Sequence, residues 1–381
     1  MSHPGLSFAK FDFDVSPFLV IWETTQACPL ACRHCRADAI ERRDPDELTT
    51  DEGKQLLSQI RDLGTPVCVL SGGDPMRRPD LAELIRHGRD LGLRMATIPA
   101  ASPELTRDKL VTLKQAGVAQ IAFSLDGSTA ALHDAFRQVE GSYDKTLEAI
   151  RWTRELDVPV QINSVFSRYN QHDIDAMIDL VKTLGIVFWE VFSLVPTGRG
   201  SALEPLSADE HEQLFAKLYD LSQEVRFIIK VTEAPHYRRY VLQRRAAEAR
   251  VTEPGPSTNS AIPAQLARDM SAANSFGTRG KGINAGKGFC FVSHTGDVFG
   301  SGFLPMPVGN VRDESLSALY RDSWLFKQLR DPSRLEGRCG ICEFADVCGG
   351  SRARAFAQTG NYLGEDTACA YQPEAATIAG A

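Results

Sequence analysis

The sequence lacks several features that would place the protein on nucleic acid, in a membrane or outside the cell. Acidic residues outnumber basic ones, 49 to 42, so the net charge of −7 leaves no positive excess for nucleic acid or an anionic membrane surface. An uncharged run of about 18 residues, the length that spans a bilayer, is missing. The first residues, MSHPGLSFAKFDFDVSPFLVIW, lack the basic start and small-residue cleavage site of a signal peptide. We therefore expect a cytoplasmic protein without a membrane or nucleic-acid partner.

Cysteine is scarce, with nine residues in 381, but it is strongly grouped. Thiols stay reduced in the cytoplasm, so clustered cysteines indicate metal ligands or catalytic groups rather than disulfides. One group lies near the start of the chain and one near its end: Cys28, Cys32 and Cys35, then Cys339, Cys342, Cys348 and Cys369. Cys68 and Cys290 stand alone, and we expect both to be packed thiols. The grouping predicts two metal centres, one with an incomplete set of ligands.

The pattern of the chain predicts a large α/β domain followed by a smaller one. Hydrophobic residues make up 43% of the chain, which is enough for a buried core. Short β-rich runs alternate with amphipathic helical stretches, and the predicted strands are 18–22, 66–70, 94–98, 119–125, 158–166 and 187–195. This alternation favours a parallel sheet with helices outside it. Six such units are too few for a closed eight-stranded barrel, so we predict a partial (β/α)6 TIM-like barrel.

Changes in composition divide the chain into four predicted segments. They are an N-terminal extension at 1–15, the barrel at 16–200, a helical bridge and flexible linker at 201–287, and a small α+β domain at 288–381. Thr295-Gly296-Asp297 predicts the turn of a β-hairpin in the last segment. Thr49 and Glu52 predict a capping box at the start of the first helix.

The first cysteine group has the spacing C-x3-C-x2-C, in CPLACRHC at 28–35, directly after the first predicted strand. A structural zinc ion needs four protein ligands, and ferredoxin-type runs supply a fourth cysteine. Three thiolates can bind three irons of a [4Fe–4S] cluster and leave the fourth iron open. The alternative is a zinc ion with His34 as fourth ligand, although His34 is very close in sequence to Cys32 and Cys35. The spacing alone leaves both open.

Together with the loop SGGDP at 71–75, this motif resembles the signature of the radical SAM enzymes. In that family the open iron chelates S-adenosylmethionine (SAM), and reductive cleavage yields a 5′-deoxyadenosyl radical that takes a hydrogen atom from the substrate. The resemblance implies that the glycine loop holds the methionine part of SAM through Gly72, Gly73, Asp74 and Pro75. Asp74 stands where glutamate is more usual. Read without the resemblance, the same loop is an ordinary strand-to-helix turn.

The resemblance also implies that polar residues on later strands face SAM. The candidates are Ser124 and Asp126 in FSLDG, Asn163 in QINSVF, and Arg137 in HDAFRQVEGSYD. For Ser124, Asp126 and Asn163, a role in a turn or in the core is an equally good interpretation.

The second cysteine group is a complete set, C-x2-C-x5-C followed by Cys369, for either a zinc ion or a [4Fe–4S] cluster. Its flanking sequence resembles the SPASM/twitch extension of radical SAM proteins, in the haem-pathway and peptide-maturase branch, which implies an auxiliary [4Fe–4S] cluster. A full SPASM domain has seven cysteines and two auxiliary clusters. Here Ser301 and Arg352 stand at two of those cysteine positions. The resemblance therefore implies a C-terminal iron–sulfur domain with one auxiliary cluster.

The expected function is a net oxidation by a radical SAM enzyme. The resemblance suggests two substrate classes and leaves both open: a peptide side chain, or a tetrapyrrole propionate that undergoes oxidative decarboxylation. Only fifteen residues precede the predicted barrel, too few for a peptide-binding winged helix. The expected electron donor is a flavodoxin or ferredoxin. A different reading is a non-catalytic iron–sulfur or zinc protein that serves as redox carrier or scaffold. The segment 236–239 (His-Tyr-Arg-Arg) could meet a substrate carboxylate, or could simply be a solvated helix start.

Overall fold

The computed structural model describes residues 11–102, 104–252 and 282–374. The strands, numbered β1 to β10 in chain order, are Leu19–Glu23, Val67–Ser71, Arg94–Thr97, Gln120–Ser124, Val160–Phe166, Phe188–Ser193, Ile228–Thr232, Phe289–Val292, Asp297–Ser301 and Leu304–Asn310. They form one sheet in the order β10-β9-β8-β1-β2-β3-β4-β5-β6-β7.

Helices connect the strands and cover one face of the sheet. Numbered α1 to α12 in chain order, they are Thr50–Asp62, Leu81–Asp90, Arg107–Ala116, Ala130–Arg137, Ser142–Glu155, Ile174–Thr183, Ala208–Glu224, His236–Thr252, Leu316–Asp322, Trp324–Arg330, Gly337–Gly340 and Arg352–Thr359. No helix in the described ranges combines the length and the apolar character needed to cross a bilayer.

Local sequence signals explain how the first helix forms and where it packs. Thr49 accepts a hydrogen bond from the backbone of Glu52, whose side chain accepts one from the backbone of Thr49, so the predicted capping box is confirmed. Along α1, Leu56, Leu57 and Ile60 recur at helical spacing and are fully buried in the main core. The apolar face of this helix therefore fixes its position against the sheet.

The predicted α/β class is confirmed, because β1 to β7 are consecutive, parallel and connected by helices. The parallel part has two strands more than the six predicted units, because β7 and β8 extend it at opposite edges. β7 pairs with β6, with Phe188 opposite Ile228. β7 lies inside the segment predicted as a helical bridge. Its alternation of Ile229 and Val231 with Lys230 is short and half polar, so it gives a weak strand signal. Residues 253–281 of the predicted linker lie outside the described residues.

The C-terminal hairpin continues the sheet of the barrel. β8 pairs with β1 in parallel, with Leu19 opposite Phe289, and β9 returns antiparallel to β8. Residues 293–296 connect β8 to β9, which begins at Asp297, and this confirms the predicted turn. The sheet thus runs across the predicted domain boundary at 288, which stays a prediction. The hairpin lies beside the strand that precedes the first cysteine group.

Candidate functional site

The first cysteine group lies on the loop after β1, at the C-terminal edge of the parallel strands. Backbone hydrogen bonds hold the loop at several points: Cys28 N donates to Ile40 O at 2.8 Å, and Cys35 N to Cys32 O at 3.3 Å. Arg199 N, in the loop after β6, donates to Cys35 O at 2.9 Å. The loop is therefore tied to the opposite side of the barrel mouth as well as to its own strand.

The cysteine sulfurs of this loop lie in a buried environment that suits iron better than free thiolates. Burial, together with the nearby charges of Asp74, Cys32 and Cys35, raises the pKa of Cys28 to about 12. The backbone N–H of Leu30 lies 3.4 Å from Cys28 Sγ and favours the thiolate. Thiolates in such a place need a cation, because a bound metal replaces the proton. The three thiols share one loop, and Cys32 and Cys35 lie near enough to Cys28 to influence its pKa. Their number is that of the ligands of a [4Fe–4S] cluster with one open iron.

His34 packs against an aromatic ring beneath this loop. Its ring stacks on Phe136, with centroids 4.4 Å apart and planes 12° from parallel. Burial lowers the pKa of His34 to about 3, so the ring is neutral. Its Nδ1 is buried and has no hydrogen-bond partner among the described residues.

The glycine loop after β2 packs directly on the cysteine loop. A Cβ on Gly72 would lie 2.5 Å from Thr25 O, and one on Gly73 would lie 2.5 Å from Ala27 O. Gly73 N donates to Thr25 O, and Asp74 N donates to Ala27 O, both at 2.7 Å. The glycines therefore permit close contact between two loops, a reason that differs from the approach to a ligand expected from sequence.

Asp74 offers an unused acceptor beside the cysteine loop. Its Oδ1 accepts from Met76 N at 3.1 Å and from Ala100 N at 3.2 Å, and it caps the turn that begins at Pro75. Its Oδ2 is buried and has no hydrogen-bond partner among the described residues. Burial raises the pKa of Asp74 to about 6 against these two backbone donors. An orphaned carboxylate oxygen here fits a donor group on SAM, such as its amino group.

Arg137 and Asp126 form a buried pair behind the cysteine loop. Arg137 Nη2 lies 2.5 Å from Asp126 Oδ2, and Arg137 Nη1 lies 3.5 Å from Cys32 Sγ. Val165 N donates to Asp126 Oδ1 at 2.8 Å. Burial would raise the pKa of Asp126, but Arg137, together with His34, His133 and the N–H of Val165, outweighs it and the pKa is lowered. Both Asp126 oxygens are thus engaged by protein groups, and its contact with SAM stays a prediction.

Ser124, the last residue of β4, is the register partner of Asn163 in the middle of β5. Asn163 Oδ1 accepts from Gln161 Nε2 at 2.7 Å, and the same nitrogen donates to Glu190 Oε2 at 2.9 Å. Lys230 on β7 completes this row with a contact of 2.6 Å to Glu190 Oε1. The predicted pair therefore belongs to a polar row across four strands.

The second cysteine group lines a single cavity. All four predicted ligands, Cys339, Cys342, Cys348 and Cys369, are on its wall. No three His, Cys, Asp or Glu side chains in the described ranges meet closely enough to hold one metal ion. The sulfurs receive N–H groups: Asp366 N lies 3.4 Å from Cys339 Sγ, and Gly350 N lies 3.4 Å from Cys348 Sγ. Burial raises the pKa of Cys348 to about 12.

Positions that hold cysteine in a full SPASM domain are filled here by hydrogen-bonding side chains. Ser301 Oγ lies 3.3 Å from Glu233 Oε1, and Ser351 donates to Glu233 Oε2 at 2.5 Å. Arg352 is buried and donates to Tyr362 O and Gly364 O, both at 2.8 Å. Cys290 and Cys68 are fully buried in the main core, so their prediction as packed thiols is confirmed.

A buried polar connection joins the barrel to the second cysteine group. Arg354, on α12, donates to Asp366 through two nitrogens, at 2.8 and 2.9 Å. Pairing with a nearby carboxylate is one of the two roles that the sequence suggests for Arg354, the other being an influence on the potential of the second cluster. Arg354 also donates to Ser193 Oγ, in the last residue of β6, at 3.0 Å, and no local pattern indicated this partner. Arg354 and Asp366 are essentially inaccessible to solvent.

The segment 236–239 begins α8 and lies against the second cysteine cavity. Arg238 donates to Val347 O at 3.1 Å and contacts Ile283 O at 2.5 Å. It therefore joins α8 to the loops beside the second cysteine group. His236 and Arg239 line the cavity itself. These side chains are buried beside the second site, so the interpretation as a solvated helix start is wrong. Their contact with a substrate carboxylate stays a prediction.

Comparison with known structures shows a shared fold. The structure of Streptococcus suis SuiB bound to S-adenosylmethionine superposes with a TM-score of 0.68, over 94% of this chain and 78% of that one, at 16% sequence identity. At this low sequence identity, the match shows only that the two proteins share a fold.

Comparison of sequences gives closer relatives. The AdoMet-dependent heme synthase of Methanosarcina barkeri is 38% identical over 94% of this chain and 97% of its own length. The PqqA peptide cyclase of Rhodopseudomonas palustris is 30% identical over 94% of this chain and 88% of its own. A model of the Radical SAM superfamily matches residues 22–181, the part that carries the end of β1, the cysteine loop, the glycine loop and β2 to β5. The chain belongs to the radical SAM superfamily and is an enzyme that uses SAM and a [4Fe–4S] cluster.

Proposed function

We propose that this enzyme removes carboxylate groups oxidatively from propionate side chains of a tetrapyrrole. The observation that carries the proposal is the higher identity to an AdoMet-dependent heme synthase, at nearly full length of both chains, than to a peptide cyclase. The residues described above provide the two parts that such a reaction needs. These are a place to bind SAM and a second group of thiols.

In this proposal the first site holds the cluster on Cys28, Cys32 and Cys35. The Oδ2 of Asp74 accepts from the SAM amino group, and the loop of Gly72, Gly73 and Pro75 holds that carboxylate in place. Ser124, Asp126 and Asn163 are the proposed polar positions around the rest of SAM. When bound, SAM and the cluster supply a radical that abstracts one hydrogen atom from the substrate. The barrel residues orient the reactants and exclude water.

The second site holds an auxiliary [4Fe–4S] cluster on Cys339, Cys342, Cys348 and Cys369. A propionate that has lost a hydrogen atom at its β-carbon carries one unpaired electron. Loss of CO₂ from it forms a vinyl group only if one further electron leaves. That electron requires an acceptor, and a complete set of four thiolates beside the barrel supports this role. A reduced flavodoxin or ferredoxin of the cytoplasm is the proposed donor to the first cluster.

The experiment is anaerobic reconstitution followed by incubation with SAM, dithionite and an iron tetrapyrrole that carries propionates. We expect about eight irons per chain, two cubanes of four, release of 5′-deoxyadenosine, and loss of CO₂ from the substrate. Cys342→Ala should keep SAM cleavage in the absence of substrate but lose decarboxylation. About four irons in the unaltered protein would contradict the second cluster, and no 5′-deoxyadenosine would favour a non-catalytic redox carrier.

A peptide substrate is the second candidate. The 30% identity to a peptide cyclase supports it. The same assay, run with the tetrapyrrole and with a candidate precursor peptide side by side, separates the two: only the true substrate raises 5′-deoxyadenosine release together with a change in its own mass.

A further inference from the structure

The first turn of α8 supplies two side chains to the wall of the second cysteine cavity. His236 and Arg239, three residues apart on this helix, line the cavity together with the four cysteines. Their exposed fractions are only 1% and 4%. The helix follows β7, so these groups come from the barrel side and not from the C-terminal segment that carries the cysteines.

Three nitrogens of these side chains have no partner among the described residues. They are Nδ1 and Nε2 of His236 and Nε of Arg239. The closest carboxylate to the imidazole is Asp366, whose Oδ2 is 3.7 Å from Nδ1, beyond hydrogen-bond length. Arg354 and Ser351 N already occupy the oxygens of Asp366.

The remaining donors of Arg239 are well fixed, which orients its free nitrogen. Nη1 donates to Glu212 Oε2 at 3.1 Å and to Gln243 Oε1 at 2.9 Å, and Nη2 also contacts Glu212. The guanidinium carbon lies 5.3 Å from the ring centre of Tyr371. Arg338, another cation on the cavity wall, differs because Glu365 and the backbone oxygens of Cys369 and Tyr371 accept from it.

Burial holds the pKa of His236 well below its usual value, so the ring is neutral and carries one N–H. A buried N–H without a partner costs about 1–3 kcal/mol, so this N–H and that of Arg239 Nε indicate a missing acceptor. The cavity that they line is walled by four thiols, and an iron–sulfur cluster bound there would present sulfur acceptors of negative charge. Hydrogen bonds to such sulfurs stabilise the reduced cluster and raise its potential.

We propose that His236 and Arg239 are positioning residues that donate hydrogen bonds to the sulfurs of the auxiliary cluster and raise its reduction potential. The inference rests on the proposed second cluster. It means that a helix of the barrel, and not only the cysteine segment, sets how readily the second site accepts an electron.

The test is a redox titration followed by electron paramagnetic resonance. It is made in a full-length background in which Cys28, Cys32 and Cys35 are replaced by alanine, so that the signal belongs to the second site. His236→Phe and Arg239→Lys remove the proposed donors. We expect the ratio of oxidised to reduced cluster at a fixed potential to rise about tenfold in each, a shift of about 59 mV to lower potential for a one-electron couple. His236→Gln, which keeps a donor, should lie closer to the unaltered value.

Arg244→Gln is the matched control, since Arg244 is on the same helix but 44% exposed and paired only at the surface. The reduction potential of the auxiliary cluster should be unchanged in this variant. An unchanged potential in both His236→Phe and Arg239→Lys, with four irons still bound, would overturn the inference. If His236→Phe loses iron, the reduction potentials measured in Arg239→Lys and His236→Gln test the inference in its place. Absence of any cluster signal in the cysteine background, with zinc or no metal bound, would instead contradict the proposed second cluster itself.

Discussion

The cost of Asp74 to the fold and its proposed contact with SAM have the same origin. It keeps a buried carboxylate oxygen without a partner. The pKa of an aspartate is ordinarily near 3.8, and burial raises that of Asp74 to about 6. The folded protein therefore holds this proton more tightly than the unfolded chain, and stability falls as the pH rises from about 4 through 6. Above that range the ionised oxygen is available to a cationic donor.

Asp74→Asn should therefore separate stability from SAM binding. In cluster-free protein at pH 7.5, we expect the free energy of unfolding in urea to increase by about 2 kcal/mol, with little change at pH 4. The dissociation constant of SAM for the reconstituted protein, from anaerobic equilibrium dialysis, should rise roughly tenfold to a hundredfold because a charge-assisted hydrogen bond is lost. Asp62→Asn, at a surface site, should change neither the free energy of unfolding nor the dissociation constant of SAM. Unaltered SAM affinity would rule out the contact.

Arg137 shows how a single side chain can serve both packing and the metal site. It balances the buried carboxylate of Asp126 and places an N–H 3.5 Å from Cys32 Sγ. Removing it leaves Asp126 buried and unpaired. Burial already raises the pKa of Cys32, and Arg137 is the main opposing influence.

Arg137→Met should lower the free energy of unfolding by about 3–5 kcal/mol, because an uncompensated buried charge remains. The double variant Arg137→Met/Asp126→Asn should recover much of this loss, since the charge is removed with its partner. Urea unfolding of cluster-free protein measures both. In the double variant the first cluster should also have a lower reduction potential, as a donor to its thiolate is gone. Equal stability of the single and double variants would be inconsistent with the pairing.

At the scale of elements, the two loops that build the first site depend on contact between their backbones. The glycine loop after β2 lies within hydrogen-bond distance of residues 25–27 in the cysteine loop. At this distance no side chain fits between them. The position of the thiols thus depends on a loop that contains no cysteine.

Gly73→Ala should displace the cysteine loop, because its Cβ would meet the carbonyl oxygens of Gln26 and Ala27 at 2.6 and 2.5 Å. Iron analysis after reconstitution should show loss of about four irons, the content of one cubane, from the first site, and SAM cleavage should fall with it. Gly92→Ala is the control: Gly92 has a φ of +87° but no atom within 4 Å of its added Cβ. That variant should cost only about 1 kcal/mol of stability and no iron. Full iron content in Gly73→Ala would contradict the steric argument.

At the scale of the whole molecule, Arg354 joins the barrel to the segment that carries the second cysteine group. It connects Ser193 at the end of β6 to Asp366, whose backbone N–H in turn lies 3.4 Å from Cys339 Sγ. Burial would raise the pKa of Asp366, but Arg354 outweighs it and the pKa is strongly lowered. A small core that includes Val195 and Ala353 covers the same junction.

Arg354→Met should therefore affect the second site more than the first. We expect stability to fall by about 3–5 kcal/mol as Asp366 is left without its cation. Iron should fall from about eight to about four per chain, with SAM cleavage in the absence of substrate retained. Arg334→Gln, which breaks a surface pair with Asp331, serves as control and should be neutral. Retention of eight irons and of decarboxylation in Arg354→Met would show that the junction does not depend on this residue.

The sequence by itself determined the features that repeat along the chain or that depend on contacts between residues close in sequence. The alternation of strands and helices, the capping box at Thr49 and the hairpin turn at 295–297 are local, and hydrophobic period and turn chemistry are sufficient to encode them. The cysteine spacings and SGGDP are local in the same sense, and the family followed from them.

Only the tertiary structure decided which distant groups meet. Arg137 and Cys32 are 105 residues apart, and Arg354 and Ser193 are 161 apart. The pairing of β8 with β1 also depends on the order of strands in the sheet. The same order determines the position of the first turn of α8 at the wall of the second cavity. Local patterns show which face of an element is apolar but not which element covers it, so the partners of buried polar groups can be read only from the folded chain.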